Sequence, residues 1–136
     1  PTIVKTDTVR LRAPNGAWIA VDPWVDRMVK ADRDSLRPCE SFRRLRTGDG
    51  RVAFLCPNGS FLCAELLEQQ QLAATAMDLG DYGLFTTEPQ SDGTLAIKAS
   101  NDLYVAFDPL TRTLHAISKG IGPNEKFKLY TPPFPQ

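Results

Sequence analysis

Residues 53–65 read AFLCPNGSFLCAE, and the same pattern stands twice more in the chain, as RLRAPNGAWIAVD at 10–22 and AIKASNDLYVAFD at 96–108. The copies align without a gap at a spacing of 43 residues. Leu11, Phe54 and Ile97 fall in register, then Asn15, Asn58 and Asn101, then Trp18, Phe61 and Tyr104. Asp22, Glu65 and Asp108 close the block. Downstream the match continues through Val29, Leu72 and Leu114, through Ala31, Ala74 and Ala116, and through Phe42, Phe85 and Phe127, with one residue lost between Asp108 and Leu114. Self-similarity at a fixed period marks a repeat architecture. Three units, about 8–50, 51–93 and 94–136, cover nearly all of the 136 residues, and a single domain is expected.

Each unit reads as strands. Leu11 and Ala13 alternate with Arg10 and Arg12, the period-two pattern of a half-buried strand. PNG follows in two copies and SND in the third; Asn, Gly and Asp tolerate the positive φ of a tight turn. The returning strand is rich in aromatic and aliphatic residues: AWIAV, SFLCA or LYVAF. A shorter strand is expected near 28–31, 71–74 and 113–116, then a polar loop, then a strand opened by Phe42, Phe85 or Phe127. That makes four strands per unit and about twelve in all. One segment conflicts locally, since AELLEQQQLAATAM at 64–77 is rich in strong helix formers. The repeat overrules it, because the equivalent segments carry Pro23 and Pro109, which suit turns and place the glutamine run at a hairpin tip.

Composition excludes several function classes. The formal net charge is zero, with ten Lys/Arg against seven Asp/Glu in residues 1–50, one against six in 51–93, and five against three in 94–136. A duplex-binding protein carries a strong basic excess, so nucleic acid is not an expected partner. No apolar run approaches the roughly 20 residues that span a bilayer, and the first ten residues, PTIVKTDTVR, do not read as a secretion signal. A cytoplasmic location without membrane insertion is therefore the expectation. Three cysteines (Cys39, Cys56, Cys63) in no metal-ligand spacing and one histidine (His115) predict no metal site, and nothing predicts a cofactor.

Three four-stranded repeats with this motif resemble the β-trefoil fold, an all-β architecture with pseudo-threefold symmetry. More narrowly, GRVAFLCPNGSFLCAE at 50–65 resembles the repeat of the fascin-like, or actin-crosslinking, branch. The Gln-x-Trp signature of the ricin-type branch is missing. The fascin-like resemblance implies an actin-bundling, membrane-surface or carbohydrate-binding role. A single trefoil departs from the multi-trefoil bundlers, and one histidine departs from the histidine-rich members. Fold alone does not fix function.

No nucleophile elbow, HExxH, phosphate-cradling glycine loop or Cys/His pair is present, and a non-enzymatic protein is expected. Cys56 and Cys63 replace alanines of the other copies (Ala13 and Ala20, Ala99 and Ala106), so they read as buried structural thiols. His115 reads as a surface or partly satisfied histidine. The acids Asp22, Glu65 and Asp108 read as turn residues at strand ends.

The functional clue is broken symmetry. DPWVDRM at 22–28 carries Trp24, which has no aromatic counterpart in ELLEQQQ or DPLTRT. An indole beside Asp22, Asp26 and Arg27 suits a sugar: a flat apolar face to stack on and carboxylates to accept hydroxyl hydrogen bonds. Carbohydrate binding through this hairpin loop is the first expectation. The second is an acidic protein partner such as actin, or else an anionic sugar, met by the arginines gathered around the first repeat, Arg33, Arg37, Arg43, Arg44 and Arg46.

Overall fold

The computed structural model describes residues 2–21, 29–33, 41–64 and 70–134. Among the described residues twelve strands follow one another: β1 (Ile3–Arg12), β2 (Trp18–Val21), β3 (Val29–Arg33), β4 (Phe42–Thr47), β5 (Val52–Leu55), β6 (Phe61–Ala64), β7 (Leu72–Ala76), β8 (Thr86–Pro89), β9 (Leu95–Lys98), β10 (Tyr104–Phe107), β11 (Leu114–Ser118) and β12 (Lys128–Tyr130). Within the helix-former stretch 64–77, Ala64 ends β6 and Leu72–Ala76 form β7 as the repeat requires, while Gln70 lies in a 3-10 turn and 65–69 are outside the described residues.

Six strands close a barrel. β1 pairs with β4, β4 with β5, β8 with β9, and β12 with β1. The remaining joins are short bridges, Val52 to Phe85 and Leu95 to Phe127, each with two backbone hydrogen bonds of 2.8–2.9 Å. Val9 opposite Phe42 is the same pairing in the first unit. Phe85 and Phe127 therefore stand just ahead of β8 and β12 as bridging residues, where the sequence pattern had them open those strands.

The other six strands form three hairpins, β2–β3, β6–β7 and β10–β11. Each has a register shift at the same place, after Trp18, Phe61 or Tyr104. A bulge that recurs in this way is a designed bend. The hairpins meet through β3, β7 and β11: Ala31 N–H donates to the Arg112 carbonyl at 2.9 Å, and Gln71 bridges His115. Barrel plus three hairpins is a β-trefoil.

The core is built from the registered positions. Val9, Phe42, Phe54, Phe85, Val105 and Phe127 are buried, with the rings of Phe54 and Phe85 6.1 Å apart. Each such phenyl contributes about 1.5–3 kcal/mol by leaving water. Cys56 and Cys63 are both buried, and burial pushes the Cys56 thiol up to about 12. His115 is buried rather than at the surface, with Nε2 2.8 Å from Thr113 Oγ1.

Candidate functional site

The turn joining β4 to β5 and the segment leading into β8 enclose a cleft of about 510 Å3, walled by Thr2, Asp49, Arg51, Leu79, Asp81 and Leu84. Clefts of roughly 300–1,000 Å3 are the usual size for small ligands. Its first wall is a tight turn closed by Thr47 N–H donating to the Arg51 carbonyl at 2.9 Å, with Gly50 at φ 86°. That backbone conformation strains any residue with a Cβ. Asp49 staples the turn: its Oδ2 accepts from Arg51 Nε at 2.9 Å, and Thr47 Oγ1 donates to its Oδ1. These contacts, Arg51 first and Thr47 second, hold the Asp49 carboxyl far below the usual carboxylate range. Gly48 N–H donates to the Thr2 carbonyl at 3.0 Å and fixes the start of the chain against this wall.

The opposite wall is a 3-10 turn at Asp81–Gly83, in which Leu84 N–H donates to the Asp81 carbonyl at 3.1 Å. Gly83 is packed tightly: a Cβ there would stand 3.4 Å from the Leu62 carbonyl oxygen and from Leu79. Asp81 is exposed and forms no ion pair among the described residues, while Tyr82 beside it is 50% exposed. The cleft thus combines a fixed carboxylate–guanidinium pair, an open carboxylate and the apolar side chains of Leu79 and Leu84. Such a set can exchange hydrogen bonds with a polyol and offer it an apolar face.

Symmetry breaks here. The equivalents of Asp81 and Tyr82 are Pro123 and Asn124 in the third unit, and Pro38 and Cys39 in the first. Comparing loops across repeats, as singled out Trp24, also reveals this pair.

A further set of equivalent positions lies where β1, β5 and β9 meet β2, β6 and β10. Arg12 packs its guanidinium 4.3 Å from the Trp18 ring centre, and Trp18 meets Tyr130 edge-on at 5.3 Å. In the third unit Lys98 stands 5.1 Å from the Tyr104 ring, whose hydroxyl donates to Glu88 at 3.0 Å. In the second the corresponding residues are Leu55, Phe61 and Leu45.

Of the residues singled out from sequence, Asp22, Trp24, Asp26, Arg27 and Arg37 lie outside the described residues. Arg33 closes β3 in register with Trp18. Arg43, Arg44 and Arg46 all lie on β4, but the period of two separates Arg43 from the other two. Arg43 is exposed, opposite Thr8 and Leu55. Arg44 is closed on Asp7 by two hydrogen bonds, Nε to Oδ1 at 3.0 Å and Nη2 to Oδ2 at 2.7 Å. The Arg44 guanidinium holds the Asp7 carboxyl below its usual range. Asp108 fills a turn role, its Oδ1 accepting the Leu110 N–H at 2.9 Å. Among the described residues no cluster of His, Cys, Asp or Glu could hold a metal ion, and no helix is long and apolar enough to cross a membrane.

No protein-family model and no curated protein matches this sequence. The fascin-like resemblance thus has no match behind it, and the comparisons show the trefoil fold. The chain is similar to the designed threefold-symmetric protein ThreeFoil, at 16% identity, covering 90% of this chain and 96% of that one with a TM-score of 0.78. It is similar to the BEL β-trefoil at 13% identity, covering 96% and 97% with a TM-score of 0.79. It is also similar to SeviL bound to the asialo-GM1 saccharide, at 14% identity, covering 94% and 99% with a TM-score of 0.74. A GlcNAcα1-4Gal-releasing endo-β-galactosidase from Clostridium perfringens matches at 11% identity and a TM-score of 0.77, with this chain spanning 32% of its length.

Proposed function

We propose that this chain is a non-enzymatic carbohydrate-binding module. The observation that carries the reading is the cleft in which Asp49, Arg51 and Asp81 converge with Leu79 and Leu84, Tyr82 being the exposed residue that follows Asp81 in the chain. Its volume suits one or two sugar residues, and its groups are those that recognise hydroxyls and the apolar face of a pyranose. The near full-length likeness to SeviL, which holds a saccharide on the same architecture, supports it. The loop at 22–28, with Asp22, Trp24, Asp26 and Arg27, is the second place at which this reading puts a sugar.

The competing reading is a module for an acidic protein surface such as actin. It rests on Arg43, exposed on β4, and on Arg46, Arg33 and Arg37; Arg44 is already committed to Asp7. A glycan array on the purified protein, with actin co-sedimentation on the same preparation, separates the two. Glycan signals without pelleting are expected. A blank array with filament pelleting that falls as salt rises would sink the carbohydrate reading.

A further inference from the structure

A second concavity, of about 250 Å3, is walled by Arg12, Pro14 and Gly16 from the first unit and by Thr94, Lys126 and Lys128 from the third. Its charge follows from register. Arg12 and Lys128 stand directly opposite each other across β1 and β12, a placement of like charges that destabilises a sheet. The equivalent pairings avoid it, since Leu55 opposes Arg43 and Lys98 opposes Thr86.

The third unit also supplies a counterion, Glu88 Oε2 lying 3.9 Å from Lys98 Nζ. At the equivalent position beside Arg12 the carboxylate is replaced by Tyr130. Arg12 is held instead by rings, at 4.3 Å from Trp18 and 6.0 Å from Tyr130, and its buried Nε has no hydrogen-bond partner. Lys126 is committed to Asp92 at 3.2 Å. Among the described residues no carboxylate pairs with Arg12 or Lys128. A guanidinium fixed by stacking, with an ammonium opposite it at a concave surface, is preorganised to receive an oxyanion.

We propose that this groove is an anion subsite that takes the sulfate ester or carboxylate of an acidic saccharide. The proposal rests on the carbohydrate reading and adds the charge class of the ligand. At about 250 Å3 the groove holds one charged group and the ring that bears it.

The test titrates a sulfated glycan, a uronate-bearing glycan and their neutral parents into the native protein, a Lys126→Ala/Lys128→Ala variant and Arg12→Lys. Both lysines are at the surface, so the double variant leaves the Trp18 packing intact; Arg12→Lys keeps the charge and removes the fork. The acidic glycans are expected to bind the native protein at least about tenfold more tightly than the neutral ones. That preference is expected to vanish in the double variant, to shrink in Arg12→Lys and to weaken in 0.5 M salt. Equal binding of acidic and neutral glycans, or a preference that survives the double variant, overturns the subsite while the carbohydrate reading stands. If no glycan of either kind binds, both fall. Inorganic sulfate binding as tightly as the sulfated glycan overturns the assignment to a saccharide.

Discussion

Asn58 joins two strands through residues sixteen positions apart: its Nδ2 donates to the Ala74 carbonyl at 3.0 Å, while its Oδ1 accepts the Ser60 N–H at 3.1 Å. Asn15 makes the same pair of bonds to Ala31 and Ala17, and Asn101 makes it to Ala116 and Leu103. The amide thus closes a turn with one end and ties it to the third strand of its unit with the other. No aspartate can do both, because an ionised carboxylate only accepts. Asn58→Ala and Asn58→Asp should each destabilise the protein by about 1–3 kcal/mol, since the substitution leaves part-buried backbone groups unpaired. Urea unfolding checks this, and a loss below about 0.5 kcal/mol would mean the staple is incidental.

The Asp7–Arg44 pair gives a pH dependence of defined sign. Its side chains are 26% and 11% exposed, so the pair is only partly screened, and Arg44 depresses the Asp7 carboxyl. A depressed carboxylate contributes stability that is fully present above the unfolded value of about 4 and is lost as pH falls through the lower folded value. Replacing Arg44 by Ala should flatten the stability profile below about pH 4, by an amount of order 1 kcal/mol. Thermal unfolding across that range reads it out, and unchanged slopes in Arg44→Ala would show that Asp7 is not linked to folding.

Cys56 should be chemically silent in the folded protein. Burial, with a smaller contribution from Cys63, pushes its thiol up to about 12, and the thiolate is the reactive form. Iodoacetamide at pH 8 is expected to leave Cys56 unmodified until denaturant is added, as peptide mass mapping would show. Rapid labelling under native conditions would place Cys56 outside the core.

The fold was legible in the sequence because the same slots recur three times. Asn15, Asn58 and Asn101 mark the turns, and Phe42, Phe85 and Phe127 mark the barrel joins. Recurrence even overrode the helix formers at 72–76, where local propensity is worth tenths of a kcal/mol per residue against the burial of Leu72 and Ala74. The Asp7–Arg44 pair was not legible, because it depends on the register of β1 against β4 and has no repeat to announce it. The cleft was hidden for a related reason. Asp49 and Arg51 lie on one turn and Asp81 on another, and only the closed barrel brings them together. The opposed cations Arg12 and Lys128, 116 positions apart, likewise meet only when the last strand returns to the first.

The most direct test of sugar recognition is calorimetric titration of the strongest array glycan into the native protein, Trp24→Ala and an Asp81→Asn/Tyr82→Ala double variant. Saturable binding to the native protein is expected, with at least about a tenfold loss in the Asp81/Tyr82 variant if the cleft holds the sugar, or in Trp24→Ala if the loop does. A native protein that takes up no heat from the glycan, or three proteins that bind it equally, would contradict a carbohydrate site at either place.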